Sequence, residues 1–125
     1  MAVTTPSIRI LVVDDHIESG EALTLYLRTQ GVDAQSVDSG DAAIGLIDDW
    51  LPDVVILDIN MPDRDGFSTA AELRRSKRGS DFVIVALTAL DEALVRRHAK
   101  EFDGYCRKGT RPSSLLTLLA SFVVG

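Results

Sequence analysis

Five short apolar runs divide the chain: Ile8 to Val13, Ala34 to Val37, Val54 to Leu57, Phe82 to Leu87, and the weaker Gly104 to Arg107. Most are β-branched and nearly continuous rather than alternating, as parallel strands covered on both faces are. The segments between them change period. Leu23, Tyr26 and Leu27 form one helical stripe, Ala43, Ile47 and Trp50 a second, and Phe67, Ala70 and Ala71 a third. Leu94 and Phe102 flank a fourth, and Leu115, Leu119, Phe122 and Val123 line a fifth. Ser39 or Asp41 can cap the second helix, Pro112 with Ser113 can open the last, and Gly31 stands where the first should stop. Strand and helix therefore alternate five times, which predicts an α/β fold: a doubly wound, five-stranded parallel sheet with right-handed crossovers. No repeat, low-complexity tract or linker interrupts it. Residues 8–125 are expected to form one domain, preceded by a flexible arm of residues 1–7.

Composition narrows the function classes. A chain of 125 residues can bury roughly two-thirds of its unfolded surface unaided. The formal net charge of −6 argues against direct nucleic-acid binding, whose affinity comes largely from Lys and Arg neutralising phosphates. The lone Cys106 permits neither an intramolecular disulfide nor a two-cysteine metal clasp, and fits a reducing, cytoplasmic setting. No apolar run approaches the ~20 residues that span a bilayer, and the opening MAVTTPS lacks a signal-peptide layout, so no membrane insertion is expected. A monomer or weak dimer is the expected assembly.

The chemistry lies in what ends the strands. The first run ends in Asp14-Asp15, the third in Asp58, the fourth in Thr88 and the fifth in Lys108. Open α/β sheets place ligands beyond the carboxyl ends of their strands, at the point where strand order reverses. With the order 2-1-3-4-5, the first and third strands are neighbours at that reversal, and the three carboxylates converge. Two unit charges about 4 Å apart repel by about 4 kcal/mol at an effective dielectric near 20. A hard divalent cation such as Mg²⁺ would relieve them, keeping sites for water and phosphate oxygens. Lys108 offers a second positive charge.

The run Asp58-Ile59-Asn60-Met61-Pro62-Asp63-Arg64-Asp65-Gly66, with Asp14-Asp15, Thr88-Ala89, and Tyr105 three before Lys108, resembles the receiver domain of two-component response regulators. The likeness runs from Ile8 to the end of the chain, and implies a flavodoxin-like sheet. It also implies that Asp58 is the phosphoacceptor, charged by a phosphohistidine on a sensor histidine kinase or a histidine phosphotransfer protein. Asp15, Asp58 and the main-chain carbonyl of Asn60 would ligate Mg²⁺, for which Mn²⁺ could substitute, with Asp14 acting mostly through a bound water. Thr88 and Tyr105 would be the switch pair, reshaping the face of the fourth helix, fifth strand and fifth helix. Ala89, being small, would leave the phosphate accessible.

Other residues have plainer readings. Met61-Pro62 and Asp65-Gly66 read as turn chemistry, with glycine admitting positive φ. His16 and His98 are expected to have no ligand role, Cys106 to be a small buried apolar residue, and Trp50 to be partly packed and far from the site. Arg74, Arg75, Lys77 and Arg78 read as a solvated basic helix end. Arg96, Arg97 and Lys100 fall on the presumed output face, where they could help choose a partner.

Two positions depart from the family pattern. Gly109 stands where proline is usual, putting the following loop's geometry in doubt, with a trans peptide favoured. Leu90 is apolar where some relatives carry a polar residue, so dephosphorylation is expected to be slow. An aspartyl-phosphate hydrolase is the main rival, but it places a second acid two residues after the nucleophile, where this chain has Asn60; without that general acid the chain is expected to be no turnover enzyme. A docking module that works without phosphorylation is a second rival, weakened because every chemical position is filled. Dinucleotide binding fails because Asp14-Asp15-His16 replaces a G-x-G-x-x-G. The chain stops after the fifth helix, leaving a stand-alone phosphorelay shuttle and the receiver of a larger protein, such as a hybrid sensor kinase, as alternatives.

Overall fold

The computed structural model describes residues 8–61, 65–89, 92–97 and 100–123. The expected arm of residues 1–7, Pro62, Leu90 and His98 lie outside them. Ten elements alternate: β1 (Arg9–Val13), α1 (Ile17–Thr29), β2 (Asp33–Val37), α2 (Gly40–Leu46), β3 (Val54–Asp58), α3 (Gly66–Arg75), β4 (Val83–Thr88), α4 (Glu92–Arg97), β5 (Gly104–Arg107) and α5 (Pro112–Val123). All strand pairs are parallel, in the order β2-β1-β3-β4-β5. The expected doubly wound sheet is the observed one.

Why the apolar runs do not alternate is visible in the packing. Leu11 and Val13 of β1 face one layer, with Val55, Leu57, Ala43, Ile47, Ala70 and Leu73. Ile10 and Val12 face the other, with Val54, Ile56, Leu27, Leu115 and Leu119. Successive side chains of a strand point to opposite faces, and helices cover both, so every residue of β3 is buried.

Local chemistry sets the helix ends. Gly31 takes φ 84° after α1, with Val32 N–H bonded to Leu27 C=O and Gly31 N–H to Arg28 C=O, the paired bonds of a Schellman stop. Ser39, rather than Asp41, caps α2 by accepting from Ala42 N–H at 3.1 Å. Trp50 lies just past the end of α2 rather than on it, its N–H still bonded to Leu46 C=O; the ring is partly packed, and the Arg9 guanidinium sits 5.5 Å above it.

Two plain readings need correction. Gly66 does not have positive φ, which among the described residues belongs to Gly31 and Gly109. Its hydrogen side chain is required by proximity, because a Cβ there would lie 2.6 Å from Ile59 Cα and 2.8 Å from the Asp58 carbonyl oxygen. Asp65 beside it is the N-cap of α3, accepting from Ser68 N–H at 2.7 Å. Arg74 is no solvated helix end either. Its guanidinium donates to the carbonyls of Glu101 (3.0 Å), Gly79 (2.8 Å) and Phe82 (2.7 Å) and pairs with Asp103. Asp103 also accepts from Ile84 N–H at 2.9 Å. One arginine thus fastens the end of α3 to β4 and to the approach to β5.

Candidate functional site

Asp58 is the last residue of β3 and only 1% exposed. Its Oδ1 accepts from Lys108 Nζ at 2.9 Å and from Asn60 N–H at 2.9 Å. The second bond is an Asx turn, in which a short carboxylate caps the backbone two residues on and so fixes its own direction. Asp14, just past β1 and 6% exposed, does the same for His16 N–H at 2.9 Å. Its own N–H is bonded to Val37 C=O, so β2 holds the β1–α1 loop in place. Because β1 and β3 are neighbours in register, Val13 against Leu57, residues one step beyond each must meet. Asp14, Asp15 and Asp58 each bring a carboxylate oxygen into one group spanning at most 4.8 Å. Asp15 is the exposed member.

Lys108, about one-third exposed, comes from the other side. Its N–H is bonded to Thr88 C=O at 2.9 Å, which ties the residue after β5 to the end of β4. The lysine satisfies one oxygen of Asp58. The other, Oδ2, is buried and has no hydrogen-bond partner among the described residues. A buried carboxylate oxygen left in this way carries a desolvation cost of about 1–3 kcal/mol. Three carboxylates against one ammonium leave net negative charge in a place of reduced dielectric. An all-oxygen donor set with an open buried lone pair fits a hard divalent cation, Mg²⁺ or Mn²⁺, better than a softer metal.

Thr88 closes β4 with 1% exposure, one position beyond the Asp58–Leu87 register pair. Tyr105 is not in the acidic group. It sits on β5 opposite Ala86, half-buried against the cluster of Ile59 and Ala86, which Phe67 and Phe102 also cover. Its hydroxyl accepts from Arg96 Nη2 at 2.8 Å, and the same guanidinium lies 5.7 Å over its ring. This link between α4 and β5 has no counterpart in the sequence reading, since nothing local pairs residues nine apart across an element boundary.

Gly109 resolves the loop the sequence left open. It takes φ 89°, and no cis peptide occurs among the described residues. Proline, locked near −65°, could not follow this path. His16, expected to have no ligand role, is the N-cap of α1, its Nδ1 accepting from Ser19 N–H. Cys106 is buried, as expected. A cleft of about 560 Å³ opens beside the acidic group between α1 and the β5–α5 loop, lined by Asp14, His16, Leu23, Leu87, Lys108 and Pro112. A comparable cleft at the opposite, amino ends of the strands, about 590 Å³, is lined instead by groups engaged with one another, Arg74 with Asp103 among them.

Comparison with known proteins agrees with this arrangement. Residues 10–120 match the family model described as the response regulator receiver domain. The chain is 35% identical over 109 residues to a probable transcriptional regulator, ycf27, of Guillardia theta, covering 86% of this chain but 42% of that protein. Among solved structures, the response regulator TrrA of Thermotoga maritima, in complex with Mg²⁺-BeF, is 30% identical with a TM-score of 0.81, covering 92% of this chain and 98% of that one. The chemotaxis protein CheY4 of Vibrio cholerae superposes with a TM-score of 0.88 at 24% identity, over 94% and 99% of the two chains, a likeness of fold. With the sheet order, the acidic group at the β1–β3 junction and the family match over most of its length, the chain belongs to the response regulator receiver domains of two-component signalling.

Proposed function

We propose that Asp58 accepts a phosphoryl group from a phosphohistidine of a sensor histidine kinase or a histidine phosphotransfer protein, and that this alters the face formed by α4, β5 and α5. The observation that carries the reading is the asymmetric state of Asp58: Oδ1 is held by Lys108 and Asn60 N–H, while Oδ2 is buried and open. A carboxylate so held offers a lone pair in a fixed direction, as an in-line nucleophile must. The P–N bond of the donor breaks, its electron pair returns to the imidazole, and an acyl phosphate forms on Asp58.

Lys108 neutralises charge spreading over the equatorial phosphoryl oxygens, the main requirement of phosphoryl transfer. The Thr88 hydroxyl takes up one of those oxygens after transfer. Asp14, Asp15, Asp58 and the main-chain carbonyl of Asn60 would hold Mg²⁺, which when bound supplies charge neutralisation for carboxylates and phosphoryl group alike. Asn60 provides no acid to protonate a leaving group, so the chain accepts phosphate from a labile donor and holds it rather than turning over stable esters. Movement of Thr88 toward the phosphate frees space for Tyr105, and the resulting shift is between two pre-existing states of the α4–β5 face.

Incubation with Mg²⁺ and acetyl phosphate, read by intact mass, tests the proposal. The expected result is a gain of one phosphoryl group by the wild-type chain and none by Asp58→Asn. Lys108→Ala is expected to bind Mg²⁺ yet phosphorylate poorly. Equal labelling of wild type and Asp58→Asn, or of neither, would sink the proposal.

A further inference from the structure

At the far side of the sheet from Lys108, β2 has β1 as its one neighbour among the described residues. Backbone groups of successive residues point to opposite sides of a strand. Asp33 N–H bonds Ile8 C=O at 2.9 Å, and Val37 C=O accepts from Asp14 N–H at 3.1 Å, so Asp33, Gln35 and Val37 turn toward β1. Ala34 and Ser36 therefore turn outward. The Ala34 C=O is met by Arg28 Nε at 3.0 Å, but among the described residues nothing meets the Ala34 N–H or either backbone group of Ser36. An edge open in this way is a template for an added strand.

The edge runs beside a groove. A cleft of about 350 Å³ lies between the start of α1 and the end of β2, and one of about 560 Å³ between the end of α1 and the start of β2. Glu21 and Ser36 line both, so the two are continuous. Ile17 borders the first and Leu25 the second. These are the large apolar side chains left exposed among the described residues, at 56% and 63%. Leu23 and Tyr26, elsewhere on α1, pack instead against the layer that holds Leu115 and Leu119 of α5. Of the exposed charged residues lining the groove, Glu21, Asp33 and Asp38 are acids and Arg28 is a base. Arg9 lies 3.6 Å from Asp33, and Arg28 is held by the Ala34 C=O, while Glu21 and Asp38 pair with no described residue.

Ile17, Glu21 and Leu25 stand four residues apart, about 6 Å per step along the helix. Alternate residues of a strand share a face and stand about 6.6 Å apart, so an extended segment in the groove meets the three in turn with every second side chain. We infer that this groove takes an extended, basic segment of a partner protein as an added strand on β2, with apolar residues at i and i+4 against Ile17 and Leu25 and a lysine or arginine at i+2 on Glu21. The order apolar, basic, apolar reads alike in both directions, so it holds for parallel and antiparallel addition. A second copy of this chain fits worse. Edge-to-edge pairing about a two-fold axis sets one patch against itself, and like charges facing one another on adjacent strands are unfavourable. Binding of this kind does not depend on the phosphoacceptor role of Asp58.

The probe is a fluorescein-labelled, end-capped peptide in which valine, lysine and valine alternate with threonine, titrated with the full chain and followed by anisotropy. Saturable binding is expected, with slowed hydrogen exchange at the Ala34 and Ser36 amides and little change at Gln35, whose amide already faces β1. Glu21→Lys should weaken binding roughly tenfold, equivalent to about 1.4 kcal/mol, and should tighten binding of a peptide with glutamate in place of the lysine. Ile17→Ser combined with Leu25→Ser should weaken both peptides. N-methylation of one alternate set of peptide amides should abolish binding, and of the other set leave it intact. Absence of wild-type binding, no reversal of preference in Glu21→Lys, equal effects of the two methylated sets, or exchange protection confined to α1 would each overturn the inference. So would a dimer seen by sedimentation whose Ala34 and Ser36 amides are protected without peptide, since that gives the edge to a second copy. Urea unfolding checks that the variants fold, and the gain of binding by Glu21→Lys is a result that an unfolded chain cannot give.

Discussion

The contact between Gly66 and β3 allows a substitution whose sign can be worked from geometry. Gly66→Ala adds one methyl at the start of α3. Helix propensity alone favours it by about 0.5–1 kcal/mol. The methyl, however, would sit 2.6 Å from Ile59 Cα, 2.8 Å from the Asp58 carbonyl oxygen and 2.8 Å from Ile59 Cδ1. Two of those atoms are backbone and cannot rotate aside, so the helix start must lift off the strand, stretching the 3.0 Å bond from Gly66 N–H to Ile59 C=O. Overpacking of this sort costs about 1–3 kcal/mol. Contacts with two fixed backbone atoms put the cost in the upper half of that range, so the net expectation is a destabilisation of about 1–2 kcal/mol in urea unfolding, with a melting shift of roughly 3–8 °C for a domain of this size. Gly45→Ala, in α2 with no atom within 4 Å of the new methyl, receives only the propensity and should be stabilised by about 0.5–1 kcal/mol. Opposite signs for one chemical change separate contact from propensity. A Gly66→Ala chain as stable as wild type would refute the steric argument.

Arg74→Met keeps the apolar stem over Phe82 but leaves the carbonyls of Gly79, Phe82 and Glu101 and the Asp103 carboxylate without their donor. A loss of about 2–4 kcal/mol is expected from urea midpoints, and a loss within ~0.5 kcal/mol, the usual surface range, would show that water replaces the arginine. Gly31→Ala meets no atom within 4 Å but must adopt φ 84°, so calorimetry should show a pure conformational penalty of roughly 1–2 kcal/mol. Added Mg²⁺ should raise the melting point of the wild type, by about 2.7 kcal/mol of stability at a hundred times its dissociation constant. Asp58→Asn should lose most of that gain, and an undiminished shift would place the ion elsewhere.

What the sequence made legible follows from range. The strand runs are continuous because both faces are covered, and that signal is carried within five or six residues. The acidic group was legible one step further on, since Asp14-Asp15 and Asp58 end strands that an α/β order brings side by side. Arg74 was misread for the opposite reason: inside Arg74-Arg75-Ser76-Lys77-Arg78 nothing local distinguishes the guanidinium that turns inward from those that stay in water. What turns it inward is a set of carbonyls as far as Glu101, 27 residues away. Gly66 offers two reasons for a glycine, free φ or close approach, and only the spacing of α3 from β3 decides between them. Asp65 was findable, as an acid immediately before the apolar spacing of α3 is an N-cap signature.

The ion pair between Lys108 and Asp58 joins parts of the sheet that differ in how readily they open. Asp58 lies on a strand paired on both sides, while Lys108 follows a four-residue strand paired, among the described residues, with β4 alone. Edge segments exchange their amide hydrogens through local opening at lower free energy than the centre. Each such opening carries the ammonium away and leaves a buried carboxylate uncompensated, so the ion pair resists fraying of β5 from a distance. Removal of the Asp58 charge should therefore speed hydrogen exchange in β5 more than in β3, linking the charge state of the sheet's centre to the lifetime of its edge.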